Sequence, residues 1–359
     1  MITEHRLRVG LIYWDPANGF NRLLAEKLEA LGCEVLLFRY RAILPLHLDL
    51  VLACGPFGSL VPLARQLLAC PAHQRPAFGL WLTEQLPCPD LPEPVQYLGG
   101  ALRSKFDRLL VRKQPDGEWR IDPRLEWLTD KGHRFRYYGD LYWLKQQGLL
   151  SVLIVSSPWI ANYLQARGFD PLVVDLGLQF EPGIDLKLER DIPVLWIGKP
   201  GSRRRARVLR HIRAELRARG IEMMVIDGIE HPYVHGEERT VLLNRTKIAL
   251  NILRQKWDDN SMRYYLAAPN RVLIVSEPTL PHTPFQPGVH LVEAPLHRLA
   301  DTIQHYLSHE AERQQITEQA YQLVMHKLNT NEGVRQILER AVEFRPRPAF
   351  DQLGPRVVG

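Results

Sequence analysis

At 359 residues, with 45% hydrophobic and 24% charged residues, the chain exceeds one average domain and suits two, each large enough to bury its own core. The composition, free of long polar or low-complexity tracts, excludes a disordered or fibrous chain away from the ends, and no apolar run approaches the ~20 residues a membrane-spanning helix needs. A net charge of +6 admits nucleic acid, an anionic membrane or a polyphosphate-bearing small ligand, without choosing among them.

The N-terminus MITEHRLRVG lacks the apolar core of a secretory signal, so a cytoplasmic protein is expected. Cys33, Cys54, Cys70 and Cys88 have neither the paired spacing of a zinc site nor the density of a disulfide framework, and read as buried thiols. LRVGLIYW (Leu7–Trp14) has a buried-strand pattern; a helix follows with Leu24, Leu28 and Leu31 on one face, stopped by Gly32. CEVLLFRY, DLVLACG and PAFGLWLTE supply further strands, with the helix LVPLARQLLA between the last two. From about Pro87 to Gly148 the pattern is irregular and reads as helical insertions and loops. SVLIVSS, a helix PWIANYLQARG and PLVVDLG then complete a first α/β domain, because strands alternating with helices imply a parallel sheet with right-handed crossovers.

The polar, turn-rich Phe180–Asp191 reads as an interdomain linker. PVLWIG, a helix over Ser202–Arg219, IEMMVIDG and the helix TVLLNRTK repeat the same grammar. From Ile248 an apolar strand, a polar loop, a short helix starting near Ser261 and another apolar strand follow closely, and helices fill most of Leu296–Phe344. The expected domains are 1–180, 190–330, and a C-terminal helix and tail over 331–359 that packs back on the first domain.

In open α/β sheets, ligands sit beyond the carboxyl ends of the strands, where a helix N-terminus offers N–H groups to an anion. Two stretches meet that description. Gly198 ends a strand and leads through KPGSRRR into a helix, so Arg203, Arg204 and Arg205 stand near its start as donors to phosphate; the later arginines read as a solvated face. Asn251 ends another strand and opens a loop with Arg254, Lys256, Asp258, Asp259 and Asn260, followed by Arg263. Two adjacent carboxylates without further ligands do not make a metal site. Trp257 is placed to stack on a base, whereas Tyr264 and Tyr265 suit helix packing.

In the first domain, Asp15, Asn18 and Gly19 follow the first strand; DPANG serves either a ligand or a tight turn. No GxGxxG is present, which argues against a dehydrogenase. Glu84, where a strand should end, is a candidate base or sugar-hydroxyl partner, or a structural loop residue. His282 is similarly placed after RVLIVSE. An arginine-rich helix without a recognised nucleic-acid module argues against nucleic acid as partner.

The second half resembles the nucleotide-sugar-binding domain of GT-B glycosyltransferases, particularly the group related to spore-maturation glycosyltransferases: a strand ending in Gly198 with arginines after it, Leu250–Asn251, Arg263 on its helix, FQPG (Phe285–Gly288) before VHLVEA, and RLADTIQHYLSHEAERQQI in the helical tail. The resemblance covers roughly the last 160 residues. It implies two Rossmann-like domains facing across a cleft, with the first on the acceptor side and the second holding a nucleotide sugar. Glu84 and Asp15 are then the candidate catalytic carboxylates. Asn18, Gly19, Gly198, Arg203, Arg204, Arg205, Asn251, Arg254, Asn260 and Arg263 are the candidate donor and phosphate ligands. No cofactor or metal is expected, since arginines and helix termini can neutralise the diphosphate. In that family a glutamate that often contacts donor ribose falls where Leu266 stands, and a glycine where Arg271 stands. The alternative reading is therefore a catalytically silent GT-B-like binding or scaffolding protein.

Overall fold

The structure, a computed structural model, describes residues 6–13, 20–55, 58–125, 132–175, 184–258, 262–281, 284–328 and 330–343. Two compact units emerge. The first comprises the described residues up to Val155, Leu164–Val174 and those from Asn331 on; the second comprises Ser156–Tyr163 and Asp175–Thr330.

In the first unit β1 (Arg8–Tyr13), β2 (Glu34–Arg39), β3 (Leu50–Gly55), β4 (Ala77–Leu82), β7 (Val152–Val155) and β8 (Pro171–Val173) form a parallel sheet of order β2-β1-β3-β4-β7-β8. Every residue of β3 and β4 is buried, the continuous apolar pattern of strands covered on both faces. Helices α1 (Phe20–Ala30) and α2 (Val61–Ala69) lie among the early crossovers.

The stretch read as insertions and loops is more ordered than expected. Helices α3 (Glu93–Leu110) and α4 (His133–Gln146) flank an antiparallel hairpin, β5 (Val111–Lys113) and β6 (Trp119–Ile121). The two helices touch at Gly100 and Gly139, where a Cβ on Gly139 would meet the Gly100 carbonyl oxygen at 1.9 Å. Closeness of this kind is available only without side chains. It also brings buried charges together: Asp107 accepts from Arg103 (2.6 Å) and Arg136 (2.7 Å), and Asp140 accepts from Ser104 Oγ (2.7 Å) and from the Leu60 backbone N–H (3.1 Å).

Burial, opposed by the Ser104 hydrogen bond, pushes the Asp140 carboxyl up to about 6. An acid raised in this way favours the fold when protonated: the contribution is full below the ordinary value of 3.8 and is lost as pH rises through 6. Asp140→Asn carries no charge at any pH. Its thermal midpoint should therefore gain on that of the native chain as buffers go from about pH 4 to about pH 7, and a difference that stays constant would count against burial as the cause.

The second unit has β9 (Ile192–Ile197), β10 (Met223–Ile226), β11 (Thr246–Asn251), β12 (Leu273–Ser276) and β13 (Val292–Glu293), all parallel, in the order β10-β9-β11-β12-β13. Alternate residues of β9 face two cores: Val194 and Trp196 pack with Leu209, Ile212 and Leu216 of α6 (Arg203–Ala218), while Leu195 joins Tyr264, Tyr265 and Phe285. The remaining helices here are α5 (Pro158–Gln165, which spans the boundary between units), α7 (Gly236–Asn244), α8 (Met262–Ala267), α9 (Leu299–Ser308) and α10 (Glu310–Gln322). The described part of the expected linker is irregular yet fastened to this unit: Arg190 donates to the carbonyls of Leu243 (3.3 Å), Thr246 (2.5 Å) and Asn270 (2.9 Å).

The last helix, α11 (Thr330–Glu343), clusters from Asn331 with the first unit. Leu338, Ala341 and Val342 face Leu7, Val9 and Leu50, and Arg340 pairs with Asp170 at 3.0 Å. Cys33 and Cys54 are buried as expected, but Cys70 and Cys88 are half-exposed, so the reading of four buried thiols is corrected to two. Among the described residues no helix is long and apolar enough to cross a membrane.

Candidate functional site

The chain leaves β9 through α6 to β10 on one side, then returns through α7 to β11 on the other. The carboxyl ends of β9 and β11 therefore flank a topological switch point, the place where α/β sheets bind ligands. Two loops rise there, from Gly198 and from Ile252.

Gly198 has φ +118°, and a Cβ on it would lie 2.9 Å from Arg263 Nη2. Glycine is required both for the turn and for the approach of that guanidinium. Arg263 donates to the Ile197 carbonyl from Nε (3.1 Å) and Nη2 (2.9 Å) and to Asn251 Oδ1 from Nη1 (3.3 Å), and lies 4.2 Å from the Trp196 ring centroid. Trp196 is itself fixed by an Nε1–H bond to the Gly198 carbonyl at 2.7 Å. Ser202 caps α6 by accepting from the Arg205 N–H (3.2 Å) and ties the two loops by donating to the Arg254 carbonyl (3.0 Å).

That cap sets the phase of the three consecutive arginines. Arg205 points inward, 4% exposed, donates to the Lys199 carbonyl (3.0 Å) and approaches Asp258 at 3.7 Å, while its Nε is buried with no hydrogen-bond partner. Arg204 binds the Leu253 carbonyl (2.8 Å) and pairs through both terminal nitrogens with Glu277, which also accepts from the Leu253 N–H (2.8 Å). Arg203 is exposed. Of the three expected together at phosphate, only Arg205 is gathered into the cluster; Arg204 is committed to Glu277, because successive helix positions face directions about 100° apart.

Arg254 completes the group. Its Nε donates to Asp258 Oδ2 at 3.2 Å, and the side chain is 36% exposed. Asp258 is thus the counter-ion of arginines. Among the described residues Asp258 is the carboxylate that pairs with both Arg205 and Arg254, and its charge also acts on Arg263, while Glu277 is paired with Arg204. Burial, followed by the charge of Arg205, lowers Arg263 to about 9, and burial followed by Arg254 lowers Arg205 to about 10. Both guanidinium groups remain charged near neutrality at a cost that an anion would offset.

Asn251, expected to touch a ligand, is fully buried; its Nδ2 reaches Ser276 Oγ (3.0 Å) and Tyr264 Oη (3.3 Å), so its place is to hold Arg263. Tyr264 and Tyr265 pack against Phe285 of the FQPG segment, and Trp257 is half-buried in the loop. Leu266 is half-buried against the apolar cluster of Tyr264 and Leu195. Arg271 occupies the left-handed region at φ 54°, a conformation glycine adopts freely. It is held there by ion pairs to Asp185 (3.0 Å) and Glu318 and by the Tyr321 ring, 3.9 Å away.

In the first unit Glu84 follows β4, half-buried, and its charge helps burial raise the Tyr137 hydroxyl. Asp15, Asn18, Gly19, Asp259, Asn260 and His282 lie outside the described residues. Sequence reasoning missed Trp196 and Glu277. Glu277 follows β12 directly, so the strand-end rule that selected Gly198 and Asn251 also pointed to it; Trp196 carried no comparable signal.

Residues 203–339 match a family model described as glycosyl transferase-like. No protein of curated function matches the sequence. Among solved structures, sucrose-phosphate synthase from Thermosynechococcus elongatus is similar at a TM-score of 0.55 with 13% identity, covering 94% of this chain and 99% of its own. HepE of Anabaena, solved with UDP and glucose, is similar at 0.53 with 10% identity, covering 94% of this chain and 100% of its own. TarM of S. aureus is similar at 0.52 with 8% identity over 81% of this chain, which spans 54%, about half, of TarM's length. Two Rossmann-like parallel sheets, the family match from Arg203 onward and these likenesses agree: the chain has the GT-B glycosyltransferase fold.

Proposed function

We propose that this chain is a glycosyltransferase that moves a sugar from a nucleotide-sugar donor to an acceptor. The observation that carries the reading is the cluster of Arg205, Arg254 and Arg263 at the switch point, with Asp258 paired to the first two. A nucleoside diphosphate brings negative charge to these guanidinium groups. As the bond between sugar and diphosphate breaks, charge grows on the leaving oxygen, and fixed guanidinium groups already oriented by Ile197, Lys199 and Asn251 stabilise it without reorganising. These arginines perform that task without a metal ion. Glu84, at the carboxyl end of β4, is our candidate for activating the acceptor hydroxyl or orienting a sugar hydroxyl, with Asp15 the other carboxylate proposed for this role.

Calorimetry of the full chain against a panel of nucleoside diphosphates and their sugars, with a chelator present, tests the reading. At least one member should bind, and binding by none would end it. A second reading, a silent GT-B-like binding protein, is favoured by Leu266, whose apolar side chain cannot accept a ribose hydrogen bond. Tight diphosphate binding with no donor hydrolysis or transfer would select that reading; turnover of any donor would eliminate it.

A further inference from the structure

Away from the arginine cluster, three side chains able to ligate a metal converge on the surface of the second unit. His305 lies in the last turn of α9, His309 both ends α9 and precedes α10, and Glu312 lies in the first turn of α10. One candidate ligand atom from each lies within 4.8 Å of the others. His305 Nε2 is 2.9 Å from Glu312 Oε2, and the two imidazole rings stack with centroids 4.0 Å apart and planes inclined by 18°.

We infer that His305, His309 and Glu312 form a binding site for a divalent transition-metal ion, with zinc the best match to two imidazoles and a carboxylate. Two features support this beyond proximity. His309 Nδ1 lies 2.8 Å from the His305 backbone carbonyl. When that nitrogen carries the proton, Nε2 is left as the lone-pair donor, the arrangement by which metal-binding histidines are oriented. All three side chains are exposed and reachable from solvent. Three protein ligands leave a fourth position for water, as in zinc sites that stay open to solvent. The ion would also cross-link α9 to α10 at a turn where the chain changes direction.

The test uses the full chain stripped with a chelator and dialysed, then titrated with Zn²⁺ in competition with a chromophoric indicator. One zinc per chain should bind, and His309→Ala or Glu312→Gln should weaken it by at least about tenfold, since even losing a residue that merely orients a ligand typically costs that much. Co²⁺ should give visible absorption that both variants lose. His211→Ala, another surface histidine, should change neither readout. Absence of zinc binding, or binding that survives replacement of all three residues, would overturn the site. Because all three are exposed, metal-free melting curves should match that of the native chain. Nucleoside-diphosphate binding is read separately, so this inference and the glycosyltransferase reading can fail independently.

Discussion

Replacing Arg263 with alanine should weaken nucleoside-diphosphate binding by about 1.5–3 kcal/mol, roughly ten- to a hundredfold, the range for a charged hydrogen bond. Of the five N–H groups of a guanidinium, three are used within the protein, on the Ile197 carbonyl and Asn251 Oδ1. The two that remain share a plane fixed by those bonds and by Trp196, so a phosphate bound there would meet donors already aimed. Arg263→Lys should not restore affinity, because an ammonium cannot grip the carbonyl and the phosphate in one plane. Arg203→Ala, exposed at the first position of α6, is the control and should bind like the native chain. Calorimetry with the best-bound diphosphate decides the matter: unchanged affinity in Arg263→Ala would remove this residue from the site.

The second large effect is on stability. Glu277 is 4% exposed and receives both terminal nitrogens of Arg204 together with the Leu253 N–H. Glu277→Ala strands a buried amide and a cation that is three-quarters covered. Breaking a buried pair by removing one partner costs about 3 kcal/mol or somewhat less here, given the partial exposure of Arg204. Glu277→Gln keeps the shape and an oxygen for the Leu253 N–H, and should lose about half as much or less. Denaturant unfolding followed by the fluorescence of the native tryptophans measures both. Because Glu277 also holds the strand end from which Arg254 and Asp258 follow, diphosphate affinity should fall in the alanine variant and largely survive in the glutamine variant. Equal stability of the alanine variant and the native chain would show that the pair does not hold the loop.

Much of the scaffold was legible because strands covered on both faces are continuous apolar runs; Leu50–Gly55 and Ala77–Leu82 declare themselves in this way. The hairpin after α3 went unread although QPDGE carries a turn signature, with the Gly117 N–H bonded to the Gln114 carbonyl at 2.9 Å. Its strands of three residues each are too short for alternation to register. The arginines of the site were legible from the strand-end rule. Which of Arg203, Arg204 and Arg205 turns inward was not, since that depends on the phase set by the Ser202 cap. Glu277 lies 73 residues from Arg204 in sequence, a separation that no local pattern encodes. At Arg271 the sequence showed a side chain where glycine was expected; the left-handed backbone persists because two carboxylates and a tyrosine ring hold the guanidinium.

The path of α11 has a bearing on biogenesis. A chain emerging from the ribosome exposes its N-terminal segments first, and units ordinarily mature in that order. Here the first unit includes the helix from Asn331 onward, with Leu338 and Ala341 against Leu7, Val9 and Leu50. β1 and β3 therefore wait until the second unit has been synthesised before α11 arrives, whereas the second unit has all its described strands by Glu293. Order of synthesis and order of completion are inverted, and a nascent chain stalled before α11 would present an apolar sheet surface to the cell's chaperones.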